Sequence, residues 1–281
     1  MNAENPTLLI AGAGDLGQRV AQIAVEHQWS VIAIRRSLPA QSSGHIEWVQ
    51  ADLSQAAHLR LAHRSITHVL YTPTPDERTA SAYEQIFLRA LEHVILALNP
   101  IPLQRFIFIS STAVYGASPE LLDENSATEP TGFNGKILLQ AEQQLHRSLP
   151  AQALSLRLSG LYGPGRTHLL ERLRQGQAYA PSDPNHYGNR IHIQDAARAV
   201  WHLLNIAAPF PHYIGTDSSP YPLAQLYDEL ARLLNAPTPE RKDFPNGGKR
   251  FSNQRLLHSG FRLEWPDSLL GYAQLIKQQA Q

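Results

Sequence analysis

The sequence predicts an α/β protein: a doubly wound parallel sheet with a smaller C-terminal lobe. Three observations carry this. Short apolar runs recur at Thr7–Ala11, Ser30–Ile34, Ile46–Val49, Ile66–Tyr71 and Arg105–Ile109, as in strands buried on both faces. Helical patterns alternate with them, and that alternation implies right-handed crossovers and helices on both faces of the sheet. The first strand also runs straight into a glycine turn that opens a helix.

Composition bounds the classes. With 281 residues, 43% hydrophobic and 17% charged, the chain can bury a real core. Lys plus Arg and Asp plus Glu balance at 24 each, which gives no support to nucleic acid or an anionic membrane as partner. The chain has no cysteine, so thiolate chemistry, disulfides and cysteine metal sites are excluded. No apolar run is long enough for a membrane span, and MNAENP lacks the basic start of a signal peptide. A cytoplasmic protein is expected. The 13 histidines show no HExxH-type spacing, so no metal site is expected.

Along the chain, Leu16 starts a helix with Val20, Ile23 and Ala24 on one face. The third strand ends at Asp52-Leu53, and Ser54 is expected to cap a helix over SQAAHLRLAHR. Thr72-Pro73-Thr74-Pro75 reads as a rigid loop after the fourth strand. Asp76–Leu98 carries a long helical pattern stopped by Asn99-Pro100. The fifth strand runs into Ser110-Ser111-Thr112. Gly135–Leu149 reads as a helix and Ala153–Leu158 as a strand. Further helices are expected near Leu169–Leu173, Gln194–Ile206, Pro222–Leu234, Asn253–His258 and Asp267–Gln279. Residues 1–160 are assigned to a nucleotide-binding domain, with sheet contributions from later strands, and 161–281 mostly to the smaller lobe. Ligands of such sheets bind beyond the carboxyl ends of strands. The loops after Ala11, Ile34, Tyr71 and Ile109 should therefore converge.

The turn is Gly12-Ala13-Gly14-Asp15-Leu16-Gly17. Gly12 permits the turn, Gly14 lets backbone approach a pyrophosphate, and Gly17 lets the helix sit close on the sheet. The helix N-terminus offers unpaired N–H groups to that anion. Many NAD sites place an acid at the end of the second strand. Here Arg35, Arg36 and Ser37 stand there, and guanidinium grips a 2′-phosphate where a carboxylate would repel it. NADP is the expected cofactor, with NAD the alternative; two solvated arginines are the bland reading.

Ser110-Ser111-Thr112-Ala113-Val114-Tyr115-Gly116, with the glycine turn, resembles the extended short-chain dehydrogenases/reductases, the Rossmann-fold group of UDP-galactose epimerase-like enzymes. Asp52-Leu53 resembles the family's adenine-contacting pair. Arg157–Gly165 resembles the strand and loop that pass nicotinamide and substrate. Arg190–Asp195 resembles a segment of the substrate lobe, and Leu256–Arg262 the C-terminal motif. The resemblance implies cofactor contacts from Gly12, Gly14, Asp15, Leu16, Gly17, Arg35, Arg36, Asp52, Leu53, Thr72, Pro73 and Ser110. It places substrate contacts at Thr112, Asn134 and Arg190, with Ser111 at the family's catalytic serine; Lys136, near the positions of the family's Tyr-x-x-x-Lys pair, could bind a nicotinamide ribose or stabilise an alkoxide. It implies a small-molecule substrate such as a nucleotide sugar, and is compatible with a homodimer.

Two departures matter. The family's first turn glycine is Ala11. More seriously, the family's Tyr-x-x-x-Lys pair, whose phenolate moves the hydroxyl proton, is lost. Aligned through Glu142, the two positions are Asn134 and Leu138; in the other register they are Phe133 and Ile137. No tyrosine in the chain has lysine four residues later. This pattern resembles the atypical short-chain reductases. Ala113 after Thr112, where family 4,6-dehydratases carry Asp-Glu, disfavours that reaction. Tyr115 and Tyr162 read as packing beside the cleft rather than stand-in acids, Asp195 as a helix-start residue, and His192 as structural. The site reading of Ser111 is favoured over a hydroxyl that satisfies backbone at a strand end, while Lys136 could equally be solvated and Arg190 could equally form a surface salt bridge. An oxidoreductase or epimerase-like enzyme with an altered site is put first, including one whose substrate carries its own acid or base. A non-catalytic NADP-binding sensor or scaffold is the alternative.

Overall fold

The computed structural model describes residues 5–39, 44–55, 59, 61, 65–98, 101–244 and 248–279. The elements in chain order are β1 (Thr7–Ala11), α1 (Asp15–Glu26), β2 (Ser30–Arg35), β3 (Ile46–Gln50), β4 (His68–Tyr71), α2 (Ala80–Glu84), a π-helical segment (Gln85–Ala90), α3 (Leu91–Ala97) and β5 (Arg105–Ser111). A 3-10 turn (Thr112–Val114), β6 (Leu121–Leu122), α4 (Phe133–Ser148), β7 (Ala153–Leu158), β8 (Gly160–Tyr162), α5 (His168–Arg174) and β9 (Tyr179–Pro181) follow. Then come β10 (Tyr187–Gly188), β11 (Arg190–His192), α6 (Ile193–Asn205), β12 (His212–Gly215), β13 (Tyr221–Pro222) and α7 (Leu223–Leu233). The chain closes with β14 (Glu240–Lys242), β15 (Arg250–Phe251), α8 (Gln254–His258) and α9 (Ser268–Gln279).

The central sheet has seven strands in the order β12-β7-β5-β4-β1-β2-β3. β3, β2, β1, β4 and β5 pair in parallel, with Ala11 opposite Ile34 on one side and Tyr71 on the other. The chain runs outward from β1 to β3, then crosses to β4. The carboxyl ends of β1 and β4 thus form the topological switch point, where open α/β sheets bind ligands. The apolar runs are buried as expected: Leu8–Ala11, Val31–Ile34, Val69–Tyr71 and Phe106–Phe108 have almost no solvent contact.

The chain divides into two compact units. The first comprises 1–115, 128–157 and 197–213. Within it, Arg157 and Glu142 form a fully buried ion pair, Nη2 to Oε2 at 2.6 Å, and Arg157 Nη1 donates to Tyr115 Oη at 2.7 Å. The second comprises 116–127, 158–196 and 214–281. Its apolar core gathers Tyr162, Leu170, Leu173, Leu226, Leu230, Tyr272 and Leu275 from α5, α7, α9 and β8. No helix among the described residues is long and apolar enough to cross a membrane.

Several boundaries differ from expectation. The Asp76–Leu98 helix starts only at Ala80, where Thr79 Oγ1 accepts from Ala82 N–H. Asp76 is held instead by Arg36. Mid-way, the buried Tyr71 hydroxyl donates to the Ile86 carbonyl at 2.5 Å, within the π segment; a side chain inserted into the ladder breaks α-helical pairing. The helix expected from Ser54 falls mostly outside the described residues. Ser54 itself lies in a turn, its N–H donating to Asp52 Oδ1 at 2.9 Å. The Asn99-Pro100 stop also lies outside them. β12 and the two- and three-residue ladders were not expected at all.

In the second unit Asp217 is buried; Oδ2 accepts from Ser268 N–H at 3.1 Å, at the start of α9, while Oδ1 has no partner among the described residues. Burial pushes its carboxyl up to about 7, against about 3.9 in an unfolded chain. Between those values the folded state keeps a proton that the unfolded state has lost. Stability from this group is therefore present at low pH and falls as pH rises through that window. Asp217→Asn, which keeps an acceptor for Ser268, should flatten the decline of urea stability between pH 5 and about 7 and raise stability at pH 8. An unchanged slope would show that the carboxyl ionises freely.

Candidate functional site

The residues around the end of β1 line a cavity of about 240 Å³ in the first unit. Gly12, Ala13 and Gly14 supply one wall, Arg35, Arg36 and Ser37 a second, Ala51, Asp52 and Leu53 a third, and Thr72, Pro73 and Thr74 a fourth. The loops after β1, β2 and β4 do converge here. Thr74, Ala51 and Ile86 also line it, although the sequence pattern singled out none of them for the site. Ala51 could have been read from its place beside Asp52. Ile86 could not, because its exposure to the cavity follows from the π segment.

The three glycines do different jobs. Gly12 has φ +87°, and a Cβ there would lie 2.5 Å from the Pro73 backbone. Its N–H and that of Ala13 both donate to the Ile34 carbonyl, at 3.1 and 2.9 Å. Gly17 sits against Ile10 and Thr72, where a Cβ would approach to 3.0 and 3.3 Å, so it sets the spacing of helix and sheet. Gly14 has ordinary φ, and a Cβ there would meet nothing within 4 Å. No packing contact among the described residues requires glycine at this position.

Gly14 is also the N-cap of α1 and brings no side chain to the first N–H groups, which have no partner inside the helix. Asp15 in the first turn would oppose an anion, but its carboxylate is paired with Arg19 Nε at 2.8 Å. Open space over Gly14, uncapped N–H groups and a neutralised Asp15 fit a dinucleotide pyrophosphate. Asp15, Leu16, Gly17 and Ser110 are not part of the cavity lining. Leu16 and Gly17 are buried residues of the first turn of α1.

At the end of β5, Ser110 is buried, and its Oγ has no hydrogen-bond partner among the described residues. Ser111 Oγ accepts from Ala113 N–H at 3.2 Å, capping the 3-10 turn that Thr112 opens. Gly135 of α4 packs directly on that turn, where a Cβ would stand 2.1 Å from the Ala113 carbonyl. The start of α4, with Asn134 half-buried, is thereby brought to the Ser111–Thr112 exit. Lys136 lies on the exposed side of α4, while Ile137 and Leu138 are buried. Phe133 is exposed and stands edge-on to Tyr83, ring centroids 5.4 Å apart.

The other candidates have structural duties. Tyr115 Oη is taken by Arg157. In the second unit Tyr162 is fully buried, and burial pushes its hydroxyl pKa well up. Asp195 accepts from Glu264 and Trp265 N–H at 3.0 and 2.8 Å. His192 stacks on Trp265. Arg190 is half-buried over Gly160, its Nη1 donating to Asn189 O at 3.1 Å, and it also hydrogen-bonds Tyr272. Among the described residues no group of three or more His, Asp or Glu could hold a metal.

Comparison with known proteins places this architecture. Protein YeeZ of Escherichia coli K12 is 30% identical over 206 residues, covering 70% of this chain and 72% of YeeZ. A Methylobacillus flagellatus protein assigned to the NAD-dependent epimerases/dehydratases superposes with TM-score 0.84 at 33% identity, covering 98% of this chain and 99% of its own. The UDP-glucose 4-epimerase of Thermus thermophilus, solved with NAD, shares the fold with TM-score 0.79 at 17% identity, over 97% and 99% of the two chains. The model of the NAD dependent epimerase/dehydratase family matches residues 8–213, and the chain belongs to that family.

Proposed function

We propose that the chain is an NADP-binding oxidoreductase of this family, acting through a non-standard catalytic site on a hydroxyl or carbonyl of a nucleotide sugar or similar small molecule. The observation that carries the binding half is Gly14, a glycine the protein's own packing does not need, at an uncapped helix start. Gly12, Gly14, Leu16 and Gly17 shape the pyrophosphate site. Arg35 and Arg36 take the 2′-phosphate. Asp52 and Leu53 flank adenine, Thr72 and Pro73 close the opposite side, and Ser110 lies toward the nicotinamide end. When bound, the cofactor supplies hydride transfer at nicotinamide C4.

Ser111 holds the substrate oxygen. Its Oγ accepts from Ala113, and its own O–H remains to donate. Thr112 and Asn134 orient the substrate from the two elements that Gly135 brings together. We assign Arg190 to a substrate phosphate. Lys136 is the nearest ammonium in sequence to the lost pair and stabilises developing negative charge, or relays a proton through water. The exposed side chain of Lys136 and the burial of Leu138 favour a second reading, in which the chain binds NADP and performs no chemistry, serving as a sensor or scaffold.

Titration with NADPH and NADH should give roughly tenfold or greater preference for NADPH, the worth of charge-assisted bonds to one phosphate. Tighter NADH binding would remove the NADP assignment.

Gly14→Ala should weaken either dinucleotide at only the modest stability cost of a poorer N-cap. Gly12→Ala should lose about 1 kcal/mol or more of stability, because alanine is strained at positive φ. Equal effects of the two variants on melting would contradict this division of labour. Cofactor absorbance followed over a panel of nucleotide sugars and small carbonyls separates the two functional readings. Turnover lost in Ser111→Ala supports the enzyme, and tight NADPH binding without turnover supports the sensor.

A further inference from the structure

The Arg36 guanidinium does not stand open toward the cavity. Both terminal nitrogens bond the Asp76 carboxylate, Nη1 to Oδ2 and Nη2 to Oδ1, in a fork-to-fork pair. Arg36 follows β2, and Asp76 follows the Thr72–Pro75 loop after β4. In the sheet order β4-β1-β2, those two loops flank the strand that carries the glycine turn. The pair therefore straps one wall of the cavity to the other, past the end of β1. Arg36 and Asp76 side chains are 56% and 66% exposed, and so open an ion pair contributes little to stability. The Arg36 partner holds the Asp76 carboxyl below its usual range, so it is ionised at neutral pH. Asp52, on the cavity's third wall, also acts on Arg36.

A bidentate carboxylate occupies the same donor fork that a phosphate monoester would use. A phosphate carries more charge and can displace it, but must first break the pair and then sit beside a second anion. An unphosphorylated ribose makes no such demand and leaves the pair intact. We infer that Asp76 is a specificity-determining residue: it holds the Arg36 fork in the free protein, competes with the 2′-phosphate for it, and so sets how strongly NADP is preferred over NAD. The inference rests on the NADP reading above for its biological sense, but its sign is measurable whichever dinucleotide the wild type prefers.

The experiment is a double-mutant cycle in dinucleotide affinity. NADPH and NADH are titrated into the wild type, Asp76→Asn, Arg36→Ala and the double variant, with thermal melts to show that each is folded. Asp76→Asn should tighten NADPH by roughly two- to fivefold, the scale of an exposed ion pair, and leave NADH unchanged. In the Arg36→Ala background the same change should gain clearly less, since only the repulsion between the carboxylate and the phosphate is left to relieve. High salt should shrink the gain. The inference is overturned if Asp76→Asn leaves NADPH binding unchanged, alters both dinucleotides alike, or tightens NADPH just as much when Arg36 is absent. Wild-type preference for NADH would overturn the NADP reading alone, since the cycle is read from changes in the ratio.

Discussion

The left-handed backbone at Gly12 is the constraint on which the binding face depends. It lets the chain leave β1 and bend so that two successive N–H groups reach the Ile34 carbonyl at the end of β2. The same bend presses Gly12 against Pro73 after β4. One residue thus ties together the ends of three neighbouring strands, and the loops that line the cavity inherit their spacing from it. A side chain at Gly12 would meet backbone, not a flexible tip, so the neighbours could not yield locally. Gly17 extends the same logic one turn into α1, fixing the helix against Ile10 and Thr72. Gly14, between them, is left facing open space because both flanks are pinned.

A second constraint organises the other end of the first unit. Glu142 and Arg157 are buried together, and breaking such a pair from one side leaves a charge without compensation. The pair fixes both the rotation and the height of α4 against β7. Leu138 and Asn134 lie four and eight residues before Glu142, on the same stripe of the helix. Leu138 is accordingly buried, and Asn134 stands where α4 meets the Ser111 exit. The alternative register would put Phe133 and Ile137 at the two positions. Phe133 is exposed and packed against Tyr83, which fits a surface role better. Arg157 also spends a nitrogen on Tyr115, which ties that hydroxyl to the core.

Much of this was legible in the sequence because it is encoded locally. The five long apolar runs became strands, and the glycine turn appeared at its expected place, since a strand buried on both faces needs continuous apolar residues and a sharp turn needs glycine. What was not legible depends on pairs distant in sequence. The late start of the helix after Thr74 goes with the Thr79 side-chain cap, while Asp76 pairs with Arg36, forty residues away. The π segment reflects a tyrosine of β4 reaching Ile86. β12 is four residues long, follows a proline, and is held by partners on another strand, so no period could announce it. Tyr115, Asp195 and His192 have partners within the protein, while the enclosed Tyr162 hydroxyl has none among the described residues. For Ser111 the bland contact, a bond to Ala113, coexists with a free donor, and so does not exclude a role in the site.

The two halves of the site also differ in how hard they are to lose. The cavity is built from backbone: a positive φ, two carbonyl-directed turns, a helix start and a close proline. Erasing it would disturb the strands themselves. The Tyr-x-x-x-Lys pair consists of two side chains on one helix face, and its removal asks nothing of the backbone. At position 138 the replacement even suits the surroundings. Leu138 is 5% exposed, where an apolar side chain contributes roughly 1.5–3 kcal/mol by burial. An ammonium in the same place would need a partner to offset desolvation. Restoring a lysine there therefore requires more than a side-chain exchange: the packing around α4 must first open a path to solvent or to a bound anion. The backbone that shapes the cavity is thus independent of the side chains at positions 134 and 138.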